Sequence, residues 1–286
     1  MSRVAYVNGR YVPHRDAQVH VEDRGYQFAD AVYEVIGVVD GRFLDEEPHL
    51  DRLERSLKEL RIAWPIARAA LKLVLRETVR RNRVRNGLVY FQVSRGVARR
   101  DFGFPKRVRP SLVVTARATP PVSPDPGPGV AVITVPDIRW KRVDIKTTGL
   151  LGGALGKQKA REQGAYEAWQ VDDAGMVTEG TSSNAWIVTA DGELVTRPIG
   201  HEILAGITRQ TVKKVAADLQ LAVVERPFSV AEALAAREAF MTSATSFVTP
   251  IVKIDGKPVG AGKPGDVARR LRAEYLRAVS VAEPFA

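Results

Sequence analysis

No cysteine occurs among the 286 residues. That excludes disulfides, zinc–thiolate sites, iron–sulfur clusters and a cysteine nucleophile together. Histidine is also scarce. The 4 histidines are His14, His20, His49 and His201, and none forms an HExxH or His-x-His pair, so no metal site is expected. Long hydrophobic runs are missing too. The most apolar helical stretch, Ile66 to Val79, is broken by Arg68, Lys72, Arg76 and Glu77, whereas a membrane span needs roughly 18 uninterrupted apolar residues. The opening MSRVAYVNGRYVP lacks the apolar core of a secretory signal. A cytoplasmic protein with no membrane partner is the expectation.

Apolar residues make up 45% and charged residues 27%, the balance of an ordinary folded chain. At roughly 150 residues per domain, the length corresponds to about two domains. Lys and Arg number 43 against 33 Asp and Glu, a net charge of +10. The densest basic patch is Arg76, Arg80, Arg81, Arg83 and Arg85. No aromatics are interleaved with it, and no helix-turn-helix, RNP or zinc-finger spacing accompanies it. It reads as a solvated helix end whose cations offset the helix dipole, so no nucleic-acid partner is expected.

The sharpest break in composition is Thr119-Pro-Pro-Val-Ser-Pro-Asp-Pro-Gly-Pro-Gly129. Such a density of Pro and Gly cannot continue a helix or a central strand. It is read as a linker between a smaller domain, 1–118, and a larger one, 130–286. Before it, strands are predicted at Val4–Val7, Val32–Val39, Leu88–Ser94 and Leu112–Ala116. Helices are predicted at Pro48–Leu60, where Leu50, Leu53, Leu57 and Leu60 form one stripe, and at Ile66–Arg81. After it come strands at Val130–Val135, Tyr166–Val171, Val223–Glu225, Phe240–Thr242 and Pro250–Ile254. Ala185–Thr189 and Glu193–Thr196 flank Asp191-Gly192 as a hairpin. Helices are predicted near Gly153–Gln163 and Thr208–Leu219. Ser229-x-x-Glu232 is a capping box, and Asp266 is read as the cap of a final helix. The class is α+β: a small α/β N-terminal domain and a larger, mostly antiparallel β domain with helices.

Gly149-Leu-Leu-Gly-Gly-Ala-Leu-Gly156 is not a GxGxxG loop, and neither a P-loop nor a GxSxG elbow is present. Three other stretches carry chemistry. Lys146, in Val143-Asp-Ile-Lys-Thr-Thr148, has apolar neighbours, and a partly dry lysine can form Schiff bases. Glu179 heads the turn-forming tract Glu179-Gly-Thr-Ser-Ser-Asn184. Gly206-Ile-Thr-Arg209 opens a helix whose free amides and Thr208 hydroxyl can hold a phosphate. Arg52, beside the leucine stripe, offers a guanidinium. Alone, each also reads as a surface lysine, a polar loop, a helix cap or an exposed ion pair. Together they supply an amine, a carboxylate and a phosphate cup, which are the needs of pyridoxal 5′-phosphate.

The sequence resembles the fold-type IV pyridoxal-phosphate aminotransferases, and within them the bacterial D-amino-acid transaminases, over nearly its whole length. The stretches carrying the resemblance include Glu22-Asp-Arg-Gly-Tyr-Gln-Phe-Ala-Asp30 with Val32-Tyr-Glu34, and His49-Leu-Asp-Arg-Leu53. Others are Tyr90-Phe-Gln-Val-Ser-Arg-Gly96, Asp137-Ile-Arg-Trp140 with Asp144-Ile-Lys146, Thr178 to Asn184, Gly206 to Arg209, and Thr242-Ser-Ala-Thr-Ser246. The resemblance implies that Lys146 carries the cofactor and shuttles the proton between substrate Cα and cofactor C4′. It implies that Glu179 faces the pyridine nitrogen, that Arg139 orients Glu179, and that Leu204 packs on the ring. Arg52, Ile207, Thr208 and the Ser243–Ala244 turn would form the phosphate cup, with Ala244 where the family often has Thr. Tyr33, Arg100, Phe102 and Ser182 would line the substrate side. Phe102 stands where the typical D-amino-acid enzymes have the histidine of an Arg-x-His pair. The implied activity is ping-pong transfer, through pyridoxamine phosphate, from a D-amino acid to a 2-oxo acid such as 2-oxoglutarate. (R)-amine, branched-chain L-amino-acid and aminodeoxychorismate chemistries are the alternatives. The implied assembly is a homodimer in which the arginine-bearing loop comes from the partner subunit.

Overall fold

The computed structural model describes residues 3–279. They divide into two units: 3–122 together with Ile145–Gly149, and Ser123–Asp144 together with 150–279. The sequence reading placed one passage between domains at 119–129. The structure adds a return: five residues around Lys146 belong to the first unit although the chain on either side belongs to the second.

The first unit contains β1 (Val4–Val7), β2 (Arg10–Pro13), α1 (Arg24–Phe28), β3 (Ala31–Val39), β4 (Arg42–Phe43), α2 (Glu46–Glu59), α3 (Arg68–Arg81), β5 (Gly87–Ser94) and β6 (Ser111–Ala118). Its six strands run in the order β2-β1-β6-β5-β3-β4, every neighbouring pair antiparallel. The α+β class expected of the chain holds. Within it, the small unit narrows from α/β to helices beside an all-antiparallel sheet, because hairpin-like connections replace the crossovers a parallel sheet requires. The predicted leucine stripe is buried: Leu50, Leu53 and Leu57 of α2 share a core with Leu71 and Leu75 of α3 and with Val32, Ile36 and Phe91 of the sheet. Full burial of such side chains is worth roughly 1.5–3 kcal/mol each, which is why the stripe rather than helix propensity fixes α2.

Strand β4 is only two residues long and pairs only with Val38 and Val39. The early part of β3 is left with an open edge on that side. Residues 146–148 use it: Tyr33 N donates to Lys146 O at 3.0 Å, Thr148 N to Ala31 O at 3.1 Å, and Val32 bridges Thr147. Unpaired backbone groups at such an edge need partners, and satisfying them brings Lys146 beside β3.

The second unit contains β7 (Val130–Pro136), α4 (Leu151–Glu162), β8 (Glu167–Val171), β9 (Val177–Gly180), β10 (Asn184–Val188), β11 (Leu194–Thr196), α5 (Ile207–Asp218), β12 (Val223–Glu225), α6 (Val230–Ala235), β13 (Glu238–Ser243), β14 (Phe247–Ile254), β15 (Lys257–Pro258) and α7 (Asp266–Val279). Its sheet runs β12-β11-β10-β13-β14-β7-β8-β9, with β15 beside β14. The pairs β7–β8 and β11–β12 are parallel, as the intervening helices α4 and α5 allow, and β14–β7 is parallel as well. The remaining pairs are antiparallel. Strands β9, β10 and the body of β13 are buried residue after residue, which explains the apolar runs of β10 and β13. Trp186 of β10 stacks on Phe240 of β13, ring centroids 5.5 Å apart.

Three local details differ from the sequence reading. The Asp191-Gly192 pair sits inside a five-residue connection, 189–193, closed by Thr189 N on Glu193 O, and not in a two-residue turn. Ser229 does cap α6, accepting from Glu232 N at 3.1 Å, but the Glu232 carboxylate pairs with Arg226 instead of completing the box. Asp266 is the first residue of α7 and not its cap.

Candidate active site

The period-2 alternation of β3 sends neighbouring side chains to opposite faces. Tyr33 goes to one, Glu34 to the other. Tyr33 lies half-buried with its ring stacked on Tyr90, centroids 5.6 Å apart. Lys146 Nζ donates to the Tyr33 hydroxyl at 3.3 Å and sits 4.4 Å from the ring centroid. The predicted lysine and the predicted tyrosine are thus in contact. Burial pushes the Tyr90 phenol up to about 12, so Tyr90 brings no negative charge to this pair at neutral pH.

On the opposite face Glu34 is fully buried. Arg52 grips it with two bonds, Nε to Oε1 and Nη2 to Oε2, both 2.8 Å. His49, one helical turn earlier on α2, donates from Nδ1 to Oε2 at 2.7 Å. Burial alone would raise the Glu34 carboxyl. The Arg52 charge and the hydrogen bonds outweigh it and hold the pKa down at about 2. Burial is the leading influence on His49 and lowers its pKa despite Glu34, keeping the ring neutral. The sequence reading gave Arg52 to a phosphate. In the structure its Nε and Nη2 are also on Glu34, a partner that sequence spacing gave no means of finding.

In the second unit, Glu179 lies near the end of β9 and is 5% exposed. Arg139 Nη1 donates to it, Asn184 Nδ2 donates at 2.8 Å, and the Leu204 amide donates at 3.1 Å. Arg139 is itself clamped by Asp137, Nε to Oδ1 at 2.9 Å and Nη2 to Oδ2 at 2.6 Å, and Thr178 Oγ1 donates to the same carboxylate. Burial works against the Arg139 charge, but the two carboxylates win and raise its pKa further. The predicted Arg139–Glu179 pair and Leu204 are therefore brought together. Asp137, Thr178 and Asn184 were missed as site residues, although all three stand inside the quoted motifs.

Asn184 links this carboxylate to the rest of the unit. It opens β10 opposite Thr242, beside the Ser243 end of β13. Its Nδ2 also donates to Leu204 O at 2.9 Å. Its Oδ1 would lie 2.0 Å from a Cβ at Gly206, so only glycine fits as the N-cap of α5. A helix start leaves its first amides without intrahelical acceptors and is favourable for an anion. Ile207 and the buried Thr208 occupy that first turn. Ser243 opens the predicted turn: its Oγ accepts from Ser246 N at 3.1 Å and lies 2.7 Å from Ser246 Oγ, with Ala244 between. Ser182 donates to Glu167 Oε2 at 2.9 Å. Arg100 and Phe102 stand on an exposed loop after β5. Phe102 is 81% exposed, and its ring lies 5.5 Å from that of Phe28.

Each unit carries groups of the kind that pyridoxal phosphate needs: in the first, a half-buried amine against a phenol; in the second, a carboxylate fixed by a guanidinium and an anion-accepting helix start with a hydroxyl-rich turn. Residues 31–254 match the family model for amino-transferase class IV. The chain is 38% identical over 271 residues to a D-alanine aminotransferase of Staphylococcus haemolyticus, covering 94% of this chain and 95% of that one. A D-alanine aminotransferase of Bacillus licheniformis is 40% identical over 274 residues, 95% of each chain. Among solved structures, the PLP form of a branched-chain amino acid aminotransferase from Thermobaculum terrenum superposes with a TM-score of 0.85 at 26% identity. That match covers 97% of this chain and 94% of the other. The chain belongs to the class IV aminotransferases, the fold-type IV group that its sequence resembled. Its activity is that of a pyridoxal-phosphate-dependent transaminase. Among the described residues, no helix is long and apolar enough to cross a membrane.

Proposed function

We propose that this enzyme moves the amino group of a D-amino acid to a 2-oxo acid such as 2-oxoglutarate. The observation carrying the reading is the full-length relation, at 38–40% identity, to two D-alanine aminotransferases, combined with a Lys146–Tyr33 contact and a fixed Glu179. When bound, the cofactor supplies an electron sink for the electrons left on the substrate Cα. The chain's residues do the rest. Lys146 Nζ holds the cofactor aldehyde and moves the proton between Cα and C4′. Glu179, paired with Arg139, holds the proton on the pyridine nitrogen. Ile207, Thr208, Ser243, Ala244 and the Arg52 guanidinium serve the phosphate, and Leu204 packs on the ring. Tyr33, Arg100, Phe102 and Ser182 orient the substrate.

A second reading has an observation of its own. The histidine expected on the substrate loop is replaced by Phe102, an exposed ring 5.5 Å from that of Phe28; an aromatic there favours bulky donors or carboxylate-free (R)-amines as further substrates. The discriminating experiment is a half-reaction panel on the yellow holoenzyme with D-amino acids, L-amino acids and (R)-amines, following loss of the cofactor absorbance. Fast bleaching by D-alanine and none by L-leucine supports the first reading. Reversal of that order overturns it. We further propose a cytoplasmic homodimer, supported by the exposed Val19, Val21 and Tyr26 of the first unit and by the prevalence of closed two-fold pairing. Light scattering checks the mass.

A further inference from the structure

Arg24, the first residue of the five-residue α1, is 3% exposed. All three of its nitrogens are used. Nε donates to Asp30 Oδ2 at 2.7 Å, Nη1 to the carbonyl of Asp101 at 2.5 Å, and Nη2 to the carbonyl of Phe102 at 3.5 Å. Asp30 is shared. Arg95 Nε reaches the same Oδ2 at 2.7 Å and Arg95 Nη2 reaches Oδ1 at 3.0 Å. Arg95 also donates to the carbonyls of Leu60 at 2.6 Å and Arg61 at 3.0 Å. Aromatic faces close the cluster: Phe28 lies 4.7 Å from the Arg24 guanidinium, and Phe104 lies 3.6 Å from that of Arg95.

Two buried guanidiniums around one carboxylate leave an excess positive charge. Four carbonyl dipoles and two π-faces answer it, and Asp101 and Phe102 of the loop supply two of those carbonyls. The side chains of residues 99–104 are exposed, although the rings of Phe102 and Phe104 each rest one face against the first unit, on Phe28 and Arg95. At its root the chain is fixed: Arg24 N donates to Gly96 O at 2.9 Å, and Ala98 N to Glu22 O at 3.3 Å. Gly96 has φ +106°, and a Cβ there would meet Arg109 O at 2.0 Å. Beyond the root, Arg24 grips the peptide groups on both sides of Phe102.

We propose that Arg24, held by Asp30 and Arg95, is the positioning residue of the substrate loop: it fixes the backbone that presents Arg100 and Phe102, and acts on substrate choice through them. The inference rests on the reading that this loop meets the substrate. Because the Arg24 grip is on carbonyls, it does not depend on which side chains stand at 100 and 102. Arg100 and Phe102 can then change substrate preference while the scaffold stays fixed.

The test uses the holoenzyme with Arg24→Lys. Lysine keeps the charge and can still pair with Asp30, but a single ammonium cannot span two carbonyls as well. Arg95 continues to hold Asp30, so the cluster is not left with an unpaired carboxylate. Limited trypsin digestion after Arg99 and Arg100 reads the loop directly, since cleavage follows the population of the open form. The expected result is cleavage about tenfold faster. The half-saturation for D-alanine should rise about tenfold with the maximal half-reaction rate little changed, and Arg24→Lys combined with Arg100→Ala should be no worse than Arg100→Ala alone. Phe104→Leu, which removes the face over Arg95 while leaving the hydrogen bonds of Arg24 in place, should shift both readouts in the same direction by a smaller factor. Unchanged proteolysis in both variants overturns the anchoring. Faster proteolysis with multiplicative losses in the double variant overturns the route through Arg100. A half-saturation unmoved by Arg100→Ala marks failure of the underlying substrate reading, and the proposed role falls with it.

Discussion

Lysine side chains seldom leave water, and Lys146 is half-buried against a phenol rather than a carboxylate. The Tyr33 hydroxyl positions the amine by a hydrogen bond and not by an ion pair, which suits a lysine that is to act as a nucleophile. Lys146→Ala should keep cofactor binding through the phosphate groups but lose transamination by several orders of magnitude, because the nucleophile and the proton carrier are the same atom. Borohydride followed by peptide mapping should tag Lys146, and a tag on any other lysine would refute the assignment. Glu179 has the opposite environment: a guanidinium, an amide side chain and a backbone N–H all stabilise its charge. Glu179→Gln keeps the shape and removes the charge. The proton-abstraction step should slow by roughly 10²–10⁴, the range for lost electrostatic or acid–base support. Stopped-flow half-reactions measure it, and an unchanged rate would mean that the carboxylate serves the fold alone.

The start of α5 and the loop after β5 act as elements more than as single residues. Gly206 has an ordinary helix-cap φ of −63°, so its demand for glycine is one of space and not of backbone strain. A methyl group there must displace Asn184, which is pinned to Glu179 and Leu204. Hydrogen bonds to a charged group are worth about 1.5–3 kcal/mol. Gly206→Ala should therefore weaken cofactor retention by roughly ten- to a hundredfold, converted at about 1.4 kcal/mol per decade. Spectral titration of the apoenzyme checks this, and wild-type affinity would show that the two sites are uncoupled. On the loop, Arg100→Ala should raise the half-saturation for D-amino acids by a similar roughly ten- to a hundredfold, the worth of one charge-assisted contact. Activity on (R)-1-phenylethylamine, which has no carboxylate, should stay nearly unchanged. Phe102→His should do the reverse, favouring D-alanine over aromatic amines. Equal losses on both substrate types in Arg100→Ala would place the carboxylate contact elsewhere.

Across the whole molecule the acid response follows from the buried Glu34–Arg52–His49 cluster. Glu34 ionises at about 2 in the fold, against an ordinary 4.5. A depressed carboxyl stabilises the fold fully above 4.5, and that stability drains away as pH falls from 4.5 toward 2. His49 is also depressed, below an ordinary 6.5. The unfolded chain takes up its proton first, so this contribution is complete above 6.5 and is lost as pH falls below it. The melting temperature should be level above about pH 7, decline below 6.5, and decline again below 4.5. His49→Gln, whose amide can still donate to Glu34, should flatten the first decline and leave the second. A first decline of wild-type slope in that variant would assign it to another group.

The sequence by itself determined the elements with strong periodicity or punctuation: the leucine stripe of α2, the apolar runs of β7, β10 and β13, and the Pro/Gly break near 119–129. It also supplied the chemistry-bearing stretches around Lys146, Glu179 and Gly206, because those residue types recur in a fixed order along the family's chains. Short elements such as β2, α1, β4 and β9 were not legible, since two to five residues carry no period. Contacts between residues far apart in sequence were hidden too. That Arg52 pairs with Glu34, and that Arg24 lies buried against Asp30 rather than on the surface, depends on which side chains the sheet register places opposite one another. Local spacing encodes which face of a strand or helix a residue occupies. Only the packed sheet, with its short β4 leaving an edge for residues 146–148, decides what that face meets.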